Sequence, residues 1–526
     1  MPKNIVVCSD GTGNTAIKGR GTNVFKLFEA VDLNGHRTAP HLTPQVAIYD
    51  DGVGTEDFKP LKMFAGATGF GLARNVRQLY KELVRVYDPG DRIFLFGFSR
   101  GAFTVRTLAG FISRCGILDL AKFETAKALE GGVNRAYKTY RRYYRTELAR
   151  LFLGKPDTSM TVRFREKYCL AGPVPIAFMG VWDTVDSVGT PFHISDFINL
   201  VIYRYKFPDD HLSEVVERAC HALAVNEERD AFSPLLWRHD PRVEQVWFAG
   251  AHSNVGGGYP KQGMSLVALD WMMHQASASD LRILPTDRAL YCDHCNVDDK
   301  LYNPRAGLGA FYRWLPRDIT ALCKEREIPP RIHLSVLERV AHGTEDYAPG
   351  NLPPNAHVVI TPTGDAAKDA AARRRAANVQ AVLHAAHGDG QPLLSKVRTP
   401  VRMGRIAYYV YVVSCVAAIL AACVPEGAGS RLNPWAWLKN AGTLVFNAAT
   451  LQFGPLMDSL KRLATLPELA GTIVGALLLS YILIVMANAR MSAVYSHFWH
   501  HVQPHLRTAL KSAREEPEKS TFAQGA

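Results

Sequence analysis

The sequence has few features that would support a disulfide framework or a metal centre. Its nine cysteines are scattered along 526 residues, and two of them, Cys415 and Cys423, lie in an apolar run. This distribution predicts free thiols in a reducing compartment. Cys292 and Cys295 have the spacing of half a zinc site, but they supply only two ligands, and a structural zinc needs four. We therefore expect no metal and no other cofactor.

Two further patterns are missing. The first residues, MPKNIVVCSDG, show no cleavable signal pattern and run straight into an apolar segment. The net charge of +12 indicates contact with an anionic partner. The stretch 135–145, rich in Tyr and Arg, belongs to no recognised nucleic-acid-binding module, so we expect no nucleic acid and favour membrane lipids as the partner.

The first half of the chain alternates between two kinds of pattern. Short runs of β-branched and aromatic residues predict strands, and apolar residues at helical spacing over 76–87 predict a helix between two of them. The predicted strands are Ile5–Cys8, Val46–Tyr49, Ile93–Phe96, Ile176–Val181 and Val246–Phe248. This rhythm predicts an α/β fold like that of α/β-hydrolases, with a mostly parallel sheet covered on both faces. Two stretches that interrupt it, about 117–172 and 187–240, predict helical cap insertions.

The composition changes beyond residue 360. After a catalytic domain over 1–360, an Ala- and Arg-rich stretch predicts a helical or disordered linker over 361–400. The uncharged runs Ile406–Val424 and Leu469–Ala489 have the length needed to cross a hydrocarbon core. They predict two transmembrane helices in a region over 401–492, followed by a polar tail over 493–526, although a pair of buried core helices would give the same pattern. Flanking basic residues favour a cytoplasmic catalytic domain.

The strongest local signal is the sequence Gly97-Phe98-Ser99-Arg100-Gly101, which lies between an apolar run and a helical pattern. A nucleophile elbow requires a strand, a sharp turn and a helix in that order. Both glycines suit such a turn, because residues without Cβ let two backbone segments approach. We therefore expect Ser99 to be an exposed nucleophile; a structural turn serine is the alternative.

A serine nucleophile needs a histidine that removes its proton and an acid that orients the histidine. In α/β-hydrolases these residues follow in the chain order Ser, acid, His. Asp183 directly follows a predicted strand and is the favoured acid, with Asp186 as the alternative. His252 follows the strand Val246–Phe248 and is the favoured base, with His333 as the alternative.

The tetrahedral intermediate of acyl transfer needs two backbone donors. The first is expected to be the N–H group of Arg100, directly after the nucleophile. The second is expected from the loop after the first strand, with Gly11 and Thr12 as candidates. Asp10 in the same loop is a possible supporting residue, and it also fits a phosphatase-type site.

Several motifs along the chain resemble one known family. They are IVVCSDGTGNT, YDDGVGT, YDPGDRIFLFGFSRGAFTVRTLAGFISRCGIL, FMGVWDTVDSVG, HALAVNEERDAFSPLLW, VWFAGAHSNVGGGY and IHLSVLERV, in this order. Together they resemble the catalytic domain of type VI secretion phospholipase effectors, over roughly residues 4–355. The resemblance implies a phospholipase A-like triad that maps onto Ser99, Asp183 and His252. In the family pattern an aspartate stands at the positions of Asn226 and Asn254, and a tryptophan stands at that of Gly13.

The residues and the resemblance lead to the same principal hypothesis. The protein is expected to be a serine hydrolase of carboxylic esters, most simply lipid acyl esters, that works at a membrane surface. The alternative is a membrane-anchored binding or scaffold protein that has kept a weak or inactive hydrolase fold. The two asparagines at family aspartate positions are the sequence feature that supports this alternative.

Overall fold

The computed structural model describes most of the chain. The described ranges are residues 2–11, 21–51, 70–143, 159–185, 210–306, 312–388, 390–422 and 467–512. The predicted loop residues Thr12 and Gly13, the alternative acid Asp186 and most of the segment between the two predicted spans lie outside them.

The described part of the chain forms one eight-stranded sheet in which every pairing is parallel. The strands are β1 (Asn4–Ser9), β2 (Gln45–Asp50), β3 (Arg92–Phe98), β4 (Ile176–Trp182), β5 (Ala219–Ala224), β6 (Val243–Phe248), β7 (Arg331–His333) and β8 (His357–Val359). Their order is β2-β1-β3-β4-β5-β6-β7-β8. The order reverses between β1 and β3, and ligands of open parallel sheets bind at the carboxyl ends of the strands beside such a reversal.

All five predicted strands are present, and the parallel α/β prediction is confirmed. The sequence did not predict β5, β7 and β8. Strand β5 lies inside the stretch 187–240 that we interpreted as a cap, so that interpretation is wrong for Ala219–Ala224. Its residues are alanine, cysteine, histidine and leucine, which have little β propensity, and burial on both faces selects them instead. Strands β7 and β8 have three residues each, too few for a periodic signal.

Helices cover both faces of the sheet. In chain order the first nine described helices are α1 (Asn23–Ala30), α2 (Gly35–Thr38), α3 (Phe70–Val86), α4 (Arg100–Cys115), α5 (Ala126–Tyr143), α6 (Ser159–Tyr168), α7 (His252–Gly256), α8 (Gly263–Ser277) and α9 (Pro285–Asp293). The apolar side of α3 enters one core cluster with α4, β1 and β3. A second cluster, on the other face, joins α1 and α8 to the strands.

The first predicted insertion contains α5 and α6. Its aromatic side chains pack on α4, where the rings of Tyr137 and Tyr140 lie 5.7 Å and 5.3 Å from the ring of Phe111. The Tyr-rich stretch therefore belongs in part to the hydrophobic core. Its exposed face carries the basic residues, as expected for a solvated helix.

The remaining described helices are α10 (Ile319–Glu325), α11 (Leu334–His342), α12 (Ala366–Ala386), α13 (Leu393–Lys396), α14 (Arg398–Ala422) and α15 (Pro467–Ser512). The stretch that we interpreted as a linker contains α12, whose side chains Val379 and Leu383 are fully buried. They share a core cluster with Leu337 of α11 and with Trp499 and Leu506 of α15.

Helix α15 continues through most of the stretch that we predicted to be a polar tail. That prediction is wrong as far as Ser512, because apolar residues recur at helical spacing between the polar ones and contact the catalytic domain. Trp499 Nε1 donates a 2.7 Å hydrogen bond to the carbonyl of Pro349, and Gln503 Nε2 donates to that of Val340 at 2.9 Å. The second half of α15 is thus docked on the sheet domain.

The first half of α15, unlike the docked second half, is apolar and largely exposed. Among the described residues one helix, Ala470–Lys511, contains a stretch long and apolar enough to cross a membrane, and 17% of its most apolar window is buried. It includes the predicted span Leu469–Ala489 from Ala470 onward. The other predicted span, Ile406–Val424, is helical in α14 as far as Ala422 and packs along α15. That α14 crosses a membrane, and that the catalytic domain is cytoplasmic, stay predictions.

Candidate active site

A strained turn connects β3 to α4. Ser99 has φ 58° and ψ −121°, a conformation that costs energy for a residue with a side chain. A Cβ on Gly97 would lie 2.6 Å from the amide nitrogen of Ala102, and a Cβ on Gly101 would collide with the carbonyl oxygen of Ser9. Both glycines are therefore required for the turn, because β1, β3 and α4 approach one another there. This is the strand, turn and helix arrangement of a nucleophile elbow.

The Ser99 side chain is less accessible than expected. The residue is 7% exposed, so the prediction of an exposed serine is wrong. Its amide donates a 3.0 Å hydrogen bond to the carbonyl of Trp182 at the end of β4, which ties the elbow to the next strand. The elbow is thus enclosed by the neighbouring strand ends.

Asp183 and His252 are brought together by the sheet. Asp183 follows β4, and His252 follows β6 at the start of α7. His252 Nδ1 lies 2.6 Å from Asp183 Oδ2, and both side chains are buried. The His252 ring also lies beside the elbow, with its centroid 4.6 Å from that of Phe98, the residue before Ser99. The three favoured residues therefore share the carboxyl edge of the sheet.

A buried arginine contacts the same aspartate. Arg317 Nη1 donates to Asp183 Oδ1 at 2.7 Å, and Arg317 Nη2 donates to Asp183 Oδ2 at 2.9 Å. Burial by itself would raise the pKa of Asp183, but the Arg317 cation and the hydrogen bond with His252 hold it well below its usual range. Asp183 is therefore an anion whose two oxygens have fixed orientations.

His252 is held in an environment that favours its neutral form. Burial lowers the pKa of His252, although the adjacent Asp183 carboxylate opposes this shift. Its backbone amide donates to Glu227 Oε2 at 3.3 Å, and its ring packs against Phe232 at 5.0 Å. A neutral imidazole whose Nδ1 bonds an aspartate presents Nε2 as an acceptor, as a general base requires.

Glu227 organises the other side of His252. Its carboxylate receives two hydrogen bonds of 2.8 Å from the Arg229 guanidinium, which in turn lies 3.5 Å from the ring centroid of Phe232. Burial would raise the pKa of Glu227, yet its hydrogen bonds with Arg229 leave it lowered. This ion pair fixes the loop on which His252 stands.

The alternative base has a different role. His333 ends β7, its Nδ1 lies 2.8 Å from Ser335 Oγ, and it caps the start of α11. Its Nε2 lies 3.1 Å from Thr361 Oγ1, and burial lowers its pKa to about 3. Both ring nitrogens are occupied by these local contacts. His333 is therefore explained as a structural residue.

The loop after β1 is fixed by Asp10. Its carboxylate accepts hydrogen bonds from the Thr22 hydroxyl at 2.6 Å, the Tyr49 hydroxyl at 2.7 Å and the Gly11 amide at 2.6 Å. The amide of Gly11 is thus directed at Asp10 in this structure. The Arg100 amide stands at the start of α4, directly after Ser99. Thr12 and Asp186 lie outside the described residues.

Asn226 and Asn254, the positions at which the resemblance implies an aspartate, form local hydrogen bonds. Asn226 Oδ1 accepts from the Tyr347 hydroxyl at 2.8 Å and from the Gly250 amide at 2.9 Å. Asn254 Nδ2 donates to the carbonyl of Lys300 at 3.0 Å, which an aspartate carboxylate could not do. Neither residue contacts the Asp183 carboxylate or the His252 ring in the described hydrogen bonds. Within the described ranges no group of three or more His, Cys, Asp or Glu residues is arranged to hold a metal ion.

Arg317 and Glu227 were not identified from the sequence. Glu227 lies in the motif HALAVNEERDAFSPLLW, but a glutamate among charged neighbours reads as a surface residue. Arg317 has no local signal, because its contact with Asp183 spans 134 positions in the chain. Only the folded sheet brings the two together.

The protein is an α/β protein with a parallel sheet. Its candidate active site lies at the carboxyl edge of the sheet, where a buried aspartate and histidine stand beside a strained serine elbow. The chain belongs to the family of the type VI secretion system phospholipase effector Tle1-like catalytic domain, whose model matches residues 3–275. The matched region contains Ser99, Asp183 and His252, whereas Arg317 lies beyond it.

Individual proteins resemble smaller or more distant parts of the chain. An uncharacterized protein of Saccharomyces cerevisiae, YEL023C, is 28% identical over 259 residues, which are 47% of this chain and 34% of the relative. The match thus spans about one third of that relative. A solved structure of an uncharacterized protein from Pseudomonas aeruginosa covers 73% of this chain and 60% of its own, at 18% identity and a TM-score of 0.33. The structure of the Tle1 effector bound to the VgrG spike covers 59% and 78%, at 14% identity and a TM-score of 0.33.

Proposed function

We propose that the protein is a serine hydrolase that cleaves acyl esters of membrane phospholipids. The observation that carries the proposal is the 2.6 Å contact between His252 Nδ1 and Asp183 Oδ2 beside a strained serine elbow. A structural serine would not need the strain at Ser99, which is kept by the surrounding strands and glycines. Membership of a phospholipase effector family supports a lipid ester as the substrate.

In the proposed reaction, Ser99 Oγ attacks the ester carbonyl while His252 Nε2 accepts its proton. The Arg100 amide, at the start of α4, donates to the oxyanion of the tetrahedral intermediate. His252 then gives its proton to the leaving alcohol, and an acyl group stays on Ser99. A water molecule attacks this acyl-enzyme with the same histidine as base, which releases the fatty acid and restores the serine. Asp183 keeps His252 oriented throughout.

The position of the reaction at a membrane surface is supported by the C-terminal helices. Large apolar side chains are exposed on α14 and on the first half of α15: Ile406, Tyr409, Val413, Val416, Val474, Leu478, Leu479, Tyr481, Ile482, Val485 and Met486. An exposed apolar surface of this extent indicates a membrane or protein contact. A hairpin of α14 and α15 embedded in the bilayer would hold the catalytic domain at its substrate and raise its effective concentration there.

A fluorophosphonate probe tests the nucleophile directly. Wild-type protein in detergent should be labelled, and the Ser99→Ala variant should be neither labelled nor active on a short-chain ester. Because Ser99→Ala removes only one hydroxyl, the variant should fold, and a thermal unfolding curve like that of the wild type would show this. Ester hydrolysis by Ser99→Ala within a factor of two of wild type would contradict the assignment and favour a scaffold function.

A further inference from the structure

A basic cleft lies where the C-terminal helices leave the catalytic domain. It is formed by the segment around α10 on one side and by α13 and the start of α14 on the other, with a volume of about 660 Å³. Its cations are Lys324, Arg398, Arg402 and Arg405. One acid lines it, Asp318, and that carboxylate already caps α10 by accepting a 2.9 Å hydrogen bond from the Ala321 amide. The cleft therefore has an excess of positive charge.

These four cations differ from the arginines of the candidate active site. Within the described ranges none of them forms an ion pair, and all four side chains reach solvent. By contrast Arg317 and Arg229 in the candidate active site, and Arg339 of α11, are paired with carboxylates. Unpaired like charges gathered in one cleft repel one another, so the arrangement is stabilised when an anion enters it.

The cleft lies at the level where the apolar surface of α14 begins. Arg405 is followed directly by Ile406, which is 59% exposed. Across the helix pair, Arg490 Nη1 lies 3.8 Å from Met403 Sδ, so the basic residue that ends the apolar run of α15 stands at the same height. Cations placed at this boundary meet the head groups of a bilayer that covers the apolar surface.

The rest of the lining suits a molecule with an apolar part. Leu315, Leu394 and Val401 share the cleft with the four cations. The Thr320 hydroxyl, which belongs to the same lining, is buried and has no hydrogen-bond partner among the described residues. A phosphodiester with a glycerol and acyl chains would meet the cations, a hydroxyl donor and the apolar side chains together.

The geometry points to this cleft as a binding site for the phosphate head group of an anionic phospholipid, separate from the serine site. The inference rests on the proposed membrane contact of α14 and α15, but it does not require that the enzyme hydrolyse the bound lipid. The bound lipid would fix the catalytic domain against the membrane surface. It predicts a preference for membranes that contain anionic lipid.

The test uses full-length protein with Ser99→Ala, so that no lipid is consumed, in a neutral detergent. Dihexanoyl phosphatidylglycerol and dihexanoyl phosphatidylcholine are titrated by calorimetry, and glycerol 3-phosphate is the soluble phosphate. We expect the anionic lipid to bind about ten-fold more tightly than the zwitterionic lipid, since each basic residue contributes on the order of five-fold near a lipid phosphate. Glycerol 3-phosphate should bind more weakly, because it cannot contact the apolar lining.

The matched variants carry three Gln substitutions each. Lys324→Gln, Arg402→Gln and Arg405→Gln together should reduce the preference to within two-fold, whereas Arg37→Gln, Lys127→Gln and Lys138→Gln together remove the same charge from exposed sites elsewhere and should keep it. A single Arg402→Gln change covers the case in which the triple variant unfolds. An unchanged preference in the cleft variants, or equal binding of both lipids by the parent protein, would overturn the site. Tight binding of glycerol 3-phosphate would assign it to soluble phosphates instead.

Ester hydrolysis keeps this test separate from that of the enzyme. With Ser99 restored, the cleft variant should hydrolyse a soluble short-chain ester at the wild-type rate. Loss of lipid preference with retained hydrolysis supports the site. If the parent protein bound the anionic lipid but the protein with Ser99 did not hydrolyse esters, the proposed catalysis would be contradicted and the lipid site would stand.

Discussion

In most folded proteins charged side chains are exposed and apolar side chains are buried. The edge of the sheet and the C-terminal helices depart from this rule in opposite ways. At the sheet edge, charged groups are buried: Asp183 is 0% exposed and Arg317 5%. On the first half of α15, apolar groups are exposed, with Leu478 at 58% and Ile482 at 52%. Buried charges and exposed apolar patches both cost free energy in a soluble fold. The buried charges mark the proposed catalytic site, and the exposed apolar residues mark the proposed membrane contact.

The largest effect is expected from the buried charges. Asp183→Asn should lower turnover by about 10⁴-fold, because an amide leaves the histidine in the wrong tautomer. Initial rates on a soluble ester measure this. Asp240→Asn, at the opposite end of the strands, is the control and should have nearly wild-type activity. If Asp183→Asn kept more than a tenth of the activity, the acid would lie elsewhere, with Asp186 as the alternative.

The docked half of α15 provides the second test. Trp499→Ala removes a side chain that is 3% exposed and bonded to Pro349, so it should lower the free energy of unfolding by about 3 kcal/mol. Thermal unfolding of the full-length protein in detergent measures this effect. His500→Ala, on the exposed side of the same turn, should change it little. Equal effects of the two variants would show that α15 is not part of the domain core.

A pH profile tests the contribution of Arg317. The lowered pKa of His252 predicts that kcat/KM falls on the acid side only below the ordinary histidine range, since protonation removes the base. Without its cation, the Asp183 carboxylate attracts the proton of the pair more strongly. Arg317→Met should therefore move the acid limb upward by about one pH unit. Arg317→Lys keeps the charge, so its acid limb should lie close to that of the wild type. An unchanged acid limb in Arg317→Met would limit Arg317 to a packing role.

The smallest effect on stability is expected from the exposed apolar surface. Replacing Leu478 and Ile482 by serine should change the free energy of unfolding in detergent by less than about 0.5 kcal/mol, because neither side chain is buried. The same change should weaken flotation with lipid vesicles by about ten-fold or more, because it removes apolar area from the bilayer. Unchanged flotation would remove the membrane role of this surface.

Much of the fold was predictable because its signals are local. A parallel sheet buries both faces, so β1 to β4 and β6 appear as short apolar runs, and the turn at Ser99 needs glycines on both sides. Strand β5 lacks such a signal, since alanines at its positions are chosen for space in the sheet. The docking of α12 and of the second half of α15 was missed because sparse apolar residues at helical spacing resemble a solvated helix.

The amino-acid sequence by itself determined the elbow, the order of serine, aspartate and histidine, and the apolar run at 469–489, because each depends on residues close together in the chain. Only the tertiary structure decided which groups surround Asp183. Arg317 lies 134 positions away and reaches the aspartate across β5, through contacts that also include the carbonyl of Ala224. Such a contact has no periodicity and no spacing rule. It exists because the parallel sheet gathers the ends of distant strands at one edge.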